Sequence, residues 1–443
     1  MIELVSIPPY LIFALVLVAY LPGVVAAFLL PRLTAMPVVT FAFLGMFVFT
    51  AAGSFLIMTR PHWALGPLFS GAYVMMLLGQ ALIFYAVVGP YLWWRKITPA
   101  SDIGSIGTGN LLRAVLALAT LAILAFYYAK VGRFLLFDLV AGRINRVNIL
   151  EYRALTYGLP DYPVLRLGFF VFPALIAATT VAIASARGRL VGPAIFTIGL
   201  CMVPPLLLAE KAAVLHMAVV VFIAYGLHLG DRGVPLAAAL RGRTLLLVLL
   251  AFLPTALTYM AYFTAPGDTL RSAIDQFLFR IVGVYTETMA ASVHFVDTHG
   301  YLGGTTMPNA KGLFPHERFN LEAAMHGFLA AGSEYRSQVG LPGASPVPAT
   351  AEGYINFGWP GFVLFSVLAF ASVVVIQEIL LRLRTQFGAA AWALSAWYGY
   401  LAFTLMTTTV FATFISLIHT MLAVGVLVAW YVIDYLLRRF SSR

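Results

Sequence analysis

The side chains suited to chemistry are few and lie far apart: Glu352, Lys211, Arg280 and the triplet Glu151-Tyr152-Arg153. Three of them are cations, which stabilise a developing negative charge when held in place before reaction. Glu352 stands in ATAEGYINFGWPGF, residues 349–362, ahead of a helix start broken by Gly358, Pro360 and Gly361. It has two readings. A carboxylate near a helix N-terminus is favoured by the dipole and serves as a cap. Oriented toward a sugar hydroxyl, it is an acceptor clamp or a general base.

Each cation also has two readings. Lys211 follows Glu210 in PPLLLAEKAAVLH and interrupts a long apolar run. A charge pair there costs free energy unless it faces water, protein or ligand. It is either a capped turn or a turn that presents a cation to a phosphate. Arg280, in FLFRIVGVYTETM, sits in a segment apolar enough to dock on a membrane domain. It points into a cleft or pairs with Glu287 or Asp275. Arg153 has the planar fork that binds two phosphate oxygens at once; the alternative is interfacial snorkelling. Around these stand Glu151 beside Arg153, His216 inside an apolar run, Tyr354 with a ring able to stack on a sugar, and Arg336 among the loop charges. Each is a candidate for substrate binding, set against solvated surface or an interfacial aromatic.

The elements that position them are apolar helices. Hydrophobic residues make up 62% of the chain and charged residues 10%, the composition of a polytopic membrane protein. About 20 apolar residues cross the hydrocarbon. About eleven stretches qualify: 9–30, 36–57, 64–93, 111–129, 164–186, 191–209, 212–229, 243–263, 357–381, 388–412 and 414–436. The pair 191–209 and 212–229 is read as two spans with a tight outer turn, kinked near Pro204 and Pro205. With this threading, one face collects 14 of the 27 Lys and Arg and 4 of the 17 Asp and Glu. The whole net charge of +10 therefore lies on that face, which the positive-inside bias makes cytoplasmic, with the N-terminus outside and the C-terminus inside. Glu3 is the only charge before the first apolar run, so the basic start of a signal peptide is missing.

Two outer segments are long. Residues 130–163 mix apolar and charged residues and read in part as an interfacial amphipathic helix. In 264–356, the stretch 268–296 has helical periodicity, and GLPGASPVPAT reads as irregular loop. The chain is read as one membrane domain, 1–443, with these two loops. The lone cysteine, Cys201, falls inside a span, so disulfides cannot order the loops.

Several chemistries lack their motifs. There is no G-x-x-x-x-G-K-[ST] loop for a nucleotide motor, no Cys/His spacing for a metal, no DxD pair and no G-x-S-x-G elbow. The basic residues sit at membrane edges rather than in a stripe, which argues against nucleic acid. Glu378 and Asp434 fall near inner span ends, while His216 and His419 lie toward the outer half. That pattern argues against a proton relay through the bilayer.

Taken in order, these positions carry a resemblance. The chain resembles the Wzy-type oligosaccharide-repeat-unit polymerases of bacterial envelopes, including O-antigen and enterobacterial-common-antigen polymerases, and is more distantly similar to O-antigen ligases. Those proteins carry a basic residue at a tight outer turn between two mid-chain spans, here Lys211 where an arginine is usual. They carry an arginine in the docked start of the large outer loop, here Arg280. A re-entry motif of the type Ser-Pro…Glu/Gly-x-Tyr-x-Asn-Phe-Gly matches SPVPATAEGYINFGWPG, residues 345–361. Ligases usually have a histidine where this chain has Glu352, so polymerase fits better.

The resemblance covers roughly residues 130–380 and implies an all-α, GT-C-like polytopic enzyme of the bacterial inner membrane. Its site would face the periplasm. It would join undecaprenyl-diphosphate-linked repeat units by inverting glycosyl transfer without metal or other cofactor. Glu352, Lys211 and Arg280 would be catalytic; Arg153, Glu151, Tyr354, Arg336 and His216 would bind substrate. A chain-length co-polymerase and a flippase would be its partners. The alternatives are a lipid-linked glycan ligase, a lipid-linked oligosaccharide flippase or transporter, and a structural membrane subunit.

Overall fold

The computed structural model describes residues 8–59, 62, 65–95, 106–143, 159–187, 192–208, 211–240, 269–307, 317–330, 345–407 and 416–441. These residues are helical, with no strand among them. Seven helices are long and apolar enough to cross a membrane. Six are α1 (Pro9–Leu29), α2 (Pro37–Thr59), α3 (Gly71–Trp94), α4 (Ile106–Val131), α5 (Tyr162–Ala186) and the last, Ile418–Arg439. The seventh, Ala349–Thr407, has 59 residues. At 1.5 Å per residue it would be about 90 Å long, far more than one crossing needs.

Two glycines divide it. Gly358 (φ 66°) and Gly388 (φ 44°) leave helical geometry for a region that glycine enters without steric cost. Neighbours show that the chain doubles back at both. Gly353 and Gly361 pack backbone to backbone, so that a Cβ on Gly361 would lie 2.1 Å from the Gly353 carbonyl oxygen. In a continuous helix these residues would be about 12 Å apart. Before the second break, Gln377 accepts from the amide of Val38 at the start of α2 (2.9 Å), whereas past it Phe403 packs on Phe41 and Phe49 farther along the same helix. The segments 359–387 and 389–403 thus run in opposite directions.

The remaining apolar helices are short: α6 (Gly192–Leu207) and an apolar stretch Leu215–Asp231 inside α7 (Lys211–Asp231). α6 and α7 lie on either side of residues 209–210, where the expected turn lies outside the described residues, and α6 is itself interrupted at Met202, beside Pro204 and Pro205. The expected span at 243–263 lies outside the described residues.

Two other expectations need correction. The span expected at 64–93 begins at Gly71, because Ser70 accepts from the amide of Tyr73 and caps the helix; the preceding Leu-Gly-Pro stretch stays non-helical. Residues 349–350, expected as the end of the irregular stretch GLPGASPVPAT, are helical, and the helix runs on through 351–356. In the segment 130–163, expected as outer, a short helix, Leu135–Val140, follows the end of α4, and residues 144–158 lie outside the described residues. The expected periodicity at 268–296 is a helix over 270–299, here α8, with a π-helical segment Phe279–Gly283.

Burial sorts the helices. The most apolar window of α5 is 83% buried, while that of α1 is 17% buried. α5 is therefore central, and α1 turns most of its surface to the surroundings, as a lipid-facing helix does. Inside, hydroxyls bond to carbonyls because no water is at hand. Tyr20 Oη donates to Leu77 (3.0 Å) and Tyr85 Oη to Ala19 (2.9 Å), which ties α1 alongside α3.

Arginines gather at one end. There Glu378 pairs with Arg95 (3.0 Å) and Arg382 (2.9 Å), Asp434 pairs with Arg438 (2.8 Å), and Arg384 pairs with Asp231. At the opposite end α8 docks on α2, where a second π-helical segment, Phe47–Ala52, frees carbonyls. Hydroxyls satisfy them: Thr286 donates to Phe49 (2.7 Å) and Ser54 to Thr50 (2.6 Å).

Candidate functional site

The segment carrying the re-entry motif is built around one polar network. Pro348 leads into a helix that starts at Ala349, and Ala349, Thr350 and Ala351 are all fully buried. Glu352 follows at 1% exposure. Its Oε1 accepts from Thr306 Oγ1 (2.8 Å). Thr306 Oγ1 in turn accepts from Asn356 Nδ2 (2.7 Å), one turn beyond Glu352. Asn356 Oδ1 accepts from the amide of Gly304 (2.9 Å). The amides of Leu302 and Gly303 bond to the carbonyls of Ile355 (3.1 Å) and Asn356 (3.0 Å). These are the carbonyls that the break at Gly358 would leave unpaired at the helix end. The turn 301–307 and the helix 349–357 therefore complete each other.

Glu352 stands in the first turn of this helix, where the dipole favours its charge, but no side chain makes a capping bond and its carboxylate bonds a hydroxyl rather than a helix amide. Its second oxygen, Oε2, is buried without a hydrogen-bond partner among the described residues. The break at Gly358 sets the helix 349–357 apart from the long apolar segment that follows it. There burial pushes the Glu352 carboxyl up to about 7; the Thr306 hydroxyl and the Arg318 charge oppose the shift, and the nearby Glu322 adds to it. Glu322 is likewise raised by burial and lowered by Arg318. Arg318 is fixed by its Nε bond to the Thr306 carbonyl (3.2 Å). A carboxyl so placed changes charge near neutrality and can accept one proton, the property a general base needs.

The surround is aromatic. Tyr354 is 7% exposed, edge-on to Tyr301 (6.4 Å) and Trp359 (5.4 Å). Its ring is thus packed against protein. The helix α9 (Leu321–Ala330) closes over this region. The Ser345 amide bonds the Glu322 carbonyl (3.0 Å), His326 Nδ1 meets Ser345 Oγ (3.2 Å), and His62 Nε2 meets the Leu329 carbonyl (3.0 Å).

A second cluster lies among α5, α7 and the segment 389–403. The His216 ring sits 5.1 Å from that of Tyr400, which also meets Trp397 at 5.3 Å. Trp397 continues to His419 (6.1 Å). Arg166, exposed in the first turns of α5, exerts its charge on both His216 and Tyr400, and Tyr285 of α8 is in electrostatic range of Tyr400.

Among the expected site residues, Glu352, Tyr354 and His216 are described with their side chains. For Lys211, which opens α7, and Arg280, in the π-helical segment Phe279–Gly283, the description is of the backbone. Both segments border the Tyr400 cluster: Lys211 precedes His216 by about a turn and a half, and Tyr285 follows Arg280 on α8. Glu151, Arg153 and Arg336 lie outside the described residues. The described contacts group Glu352 and Tyr354 in one place and His216 in another.

Sequence reasoning passed over Arg166 and Thr306. Arg166 carried a readable signal, a cation within the first turns of an apolar run, where charge is costly. Thr306 carried none, because its partner is 46 residues away in the chain. No protein-family model, no curated protein and no solved structure matches this chain.

Proposed function

We propose that this protein is a polytopic glycosyltransferase that joins undecaprenyl-diphosphate-linked oligosaccharide repeat units into a polysaccharide. The observation that carries the reading is Glu352: a buried carboxyl with no cation bonded to it, poised near neutrality, inside the motif that resembles the polymerases. The acceptor hydroxyl attacks the anomeric carbon of the donor. A new carbon–oxygen bond forms, the bond from that carbon to the diphosphate oxygen breaks, and the hydroxyl proton passes to Glu352. Undecaprenyl diphosphate leaves with the bonding electrons. Cations must meet that charge, and Arg166, Lys211, Arg280 and Arg153 are assigned to it. His216 and Tyr354 are assigned to positioning substrate. In the closed arrangement Thr306 covers Glu352, so acceptor binding requires the 301–307 turn to lift.

The frame that goes with this reading is a GT-C-like bundle with eleven crossings. The long helix counts as two, α6 and α7 as two more, and 243–263 as another. The arginine-rich end is cytoplasmic, both termini follow from that, and the site faces the periplasm of a bacterial inner membrane. A flippase is the less favoured reading. It would keep ionisable groups through the bilayer depth, whereas the buried mid-helix polar groups described include Gln80, Thr120 and Ser366.

The test is purified protein in nanodiscs with lipid-linked repeat units, without nucleotide sugar or divalent metal. A ladder of longer lipid-linked glycans is expected. Lengthening only on addition of metal or nucleotide sugar, or none at all with protein that is folded, overturns the reading.

A further inference from the structure

The arginine-rich end carries a feature that catalysis at the other end does not use. Between α3 and the segment 359–387 lies a groove of about 370 Å³ whose walls include Tyr91, Trp94, Val375 and Ile379. It opens sideways. Trp94 is 80% exposed, Val375 56% and Ile379 49%, so in a bilayer these walls meet acyl chains. Indole rings favour the headgroup boundary, which places the mouth of the groove at that depth.

The polar edge of the groove is Glu378 with two arginines. Glu378 Oε1 accepts from Arg382 Nε (2.9 Å), and Oε2 pairs with Arg95 Nε (3.0 Å) and accepts from Tyr91 Oη (3.3 Å). Both carboxylate oxygens are thus engaged, and two guanidinium charges face one carboxylate. Arg382 stays 75% exposed beyond this bond and has two terminal nitrogens for a further acceptor. A planar fork of that kind matches phosphate oxygens.

From this pairing of apolar wall and surplus cation, we infer that the groove binds one acidic phospholipid of the leaflet on the arginine-rich side. An acyl chain lies along Val375 and Ile379, and the phosphodiester sits on Arg382. A zwitterionic lipid fills the same groove without using the extra charge. The site is independent of the glycosyl-transfer reading.

Native mass spectrometry of the full-length protein in mild detergent, titrated with phosphatidylglycerol or phosphatidylcholine, tests it. Phosphatidylglycerol is retained more tightly by the wild type. Arg382→Gln lowers its retention about fivefold, the effect of one arginine at an anionic surface, and leaves phosphatidylcholine unchanged. Val375→Trp fills the groove and lowers retention of both. Millimolar inorganic phosphate leaves phosphatidylglycerol bound. Equal retention of phosphatidylglycerol by the wild type and Arg382→Gln, each with an unchanged melting temperature, overturns the inference, as does displacement of the lipid by phosphate. Arg382 is exposed, so its variant stands as the test even if Val375→Trp does not fold.

Discussion

Two carboxylates, Glu352 buried and Asp231 half-buried, sit at opposite ends of this molecule, and their surroundings differ in kind. Asp231, at the arginine-rich end, shares its Oδ2 with the Arg384 guanidinium and with Trp392 Nε1 (3.2 Å). Arg384 also reaches the Ala35 carbonyl (3.5 Å). That pair binds α7 to both sides of the Gly388 reversal and to the start of α2. Glu352 has a threonine hydroxyl and a more distant arginine. Each carboxylate keeps one buried oxygen with no hydrogen-bond partner among the described residues, Oδ1 of Asp231 and Oε2 of Glu352, so what differs is the partner of the other oxygen. A carboxylate paired with a buried cation is committed to holding helices together. One held by a neutral hydroxyl remains able to exchange a proton. On the proposed function, the difference separates an architectural acid from a chemical one.

The largest effect expected on this contrast is at the paired end. Arg384→Ala leaves Asp231 half-buried without its cation and should cost about 3–5 kcal/mol, read as thermal unfolding in detergent. The double change Arg384→Met with Asp231→Leu should recover most of that loss, since an apolar pair of similar volume is often neutral. A single variant that melts like the wild type would erase the distinction.

At the other end the expected pattern inverts, with activity lost and the fold kept. Glu352→Gln should slow glycan lengthening by about 10²-fold or more, the lower range for loss of a general base, with little change in melting. Arg166→Gln should slow lengthening by about tenfold if its charge meets the leaving diphosphate, within the range for one preorganised donor.

The stability of the loop module should also depend on pH. Glu352 titrates near 7 when folded and near 4.5 when unfolded, so its folded state binds the extra proton between those values. Its contribution is complete below about 4.5 and is lost as pH rises through 7, by up to a few kcal/mol. Amide exchange at Leu302, Gly303 and Gly304 should therefore speed up across that window, and Glu352→Gln should flatten the trend. The smallest effect is expected for Thr306→Val. Losing one hydroxyl should weaken the module by about 1–2 kcal/mol and move the pH midpoint of lengthening upward, because that hydroxyl favours the carboxylate.

Sequence reading reached the apolar spans because a run of apolar residues is itself the physical cause of a crossing. It also read a turn into the span at Gly358 and a separation of the stretches 357–381 and 388–412; the structure breaks the long helix at Gly358 and at Gly388, a residue the sequence reading did not single out. It missed the helix at 349–357, whose mix of Ala, Thr, Glu and Gly has weak intrinsic preference. That helix is set by tertiary bonds to 302–306. In the same way Glu352 stood out as a carboxylate in an uncommon place, while its state depends on Thr306, Arg318 and Glu322, which the fold alone brings near. The start of α3 was readable in principle: Ser70 is a capping residue, but the apolar Leu-Gly-Pro-Leu-Phe ahead of it masked the boundary.

The most direct test of the central claim is the rate of lipid-linked glycan lengthening between about pH 5 and 9 for the wild type and Glu352→Gln in nanodiscs. The account predicts a wild-type rate that rises with pH through about 7 as the base loses its proton, and a folded variant at least about 10²-fold slower with no such inflection. A Glu352→Gln protein that lengthens glycans at the wild-type rate across that range would contradict it.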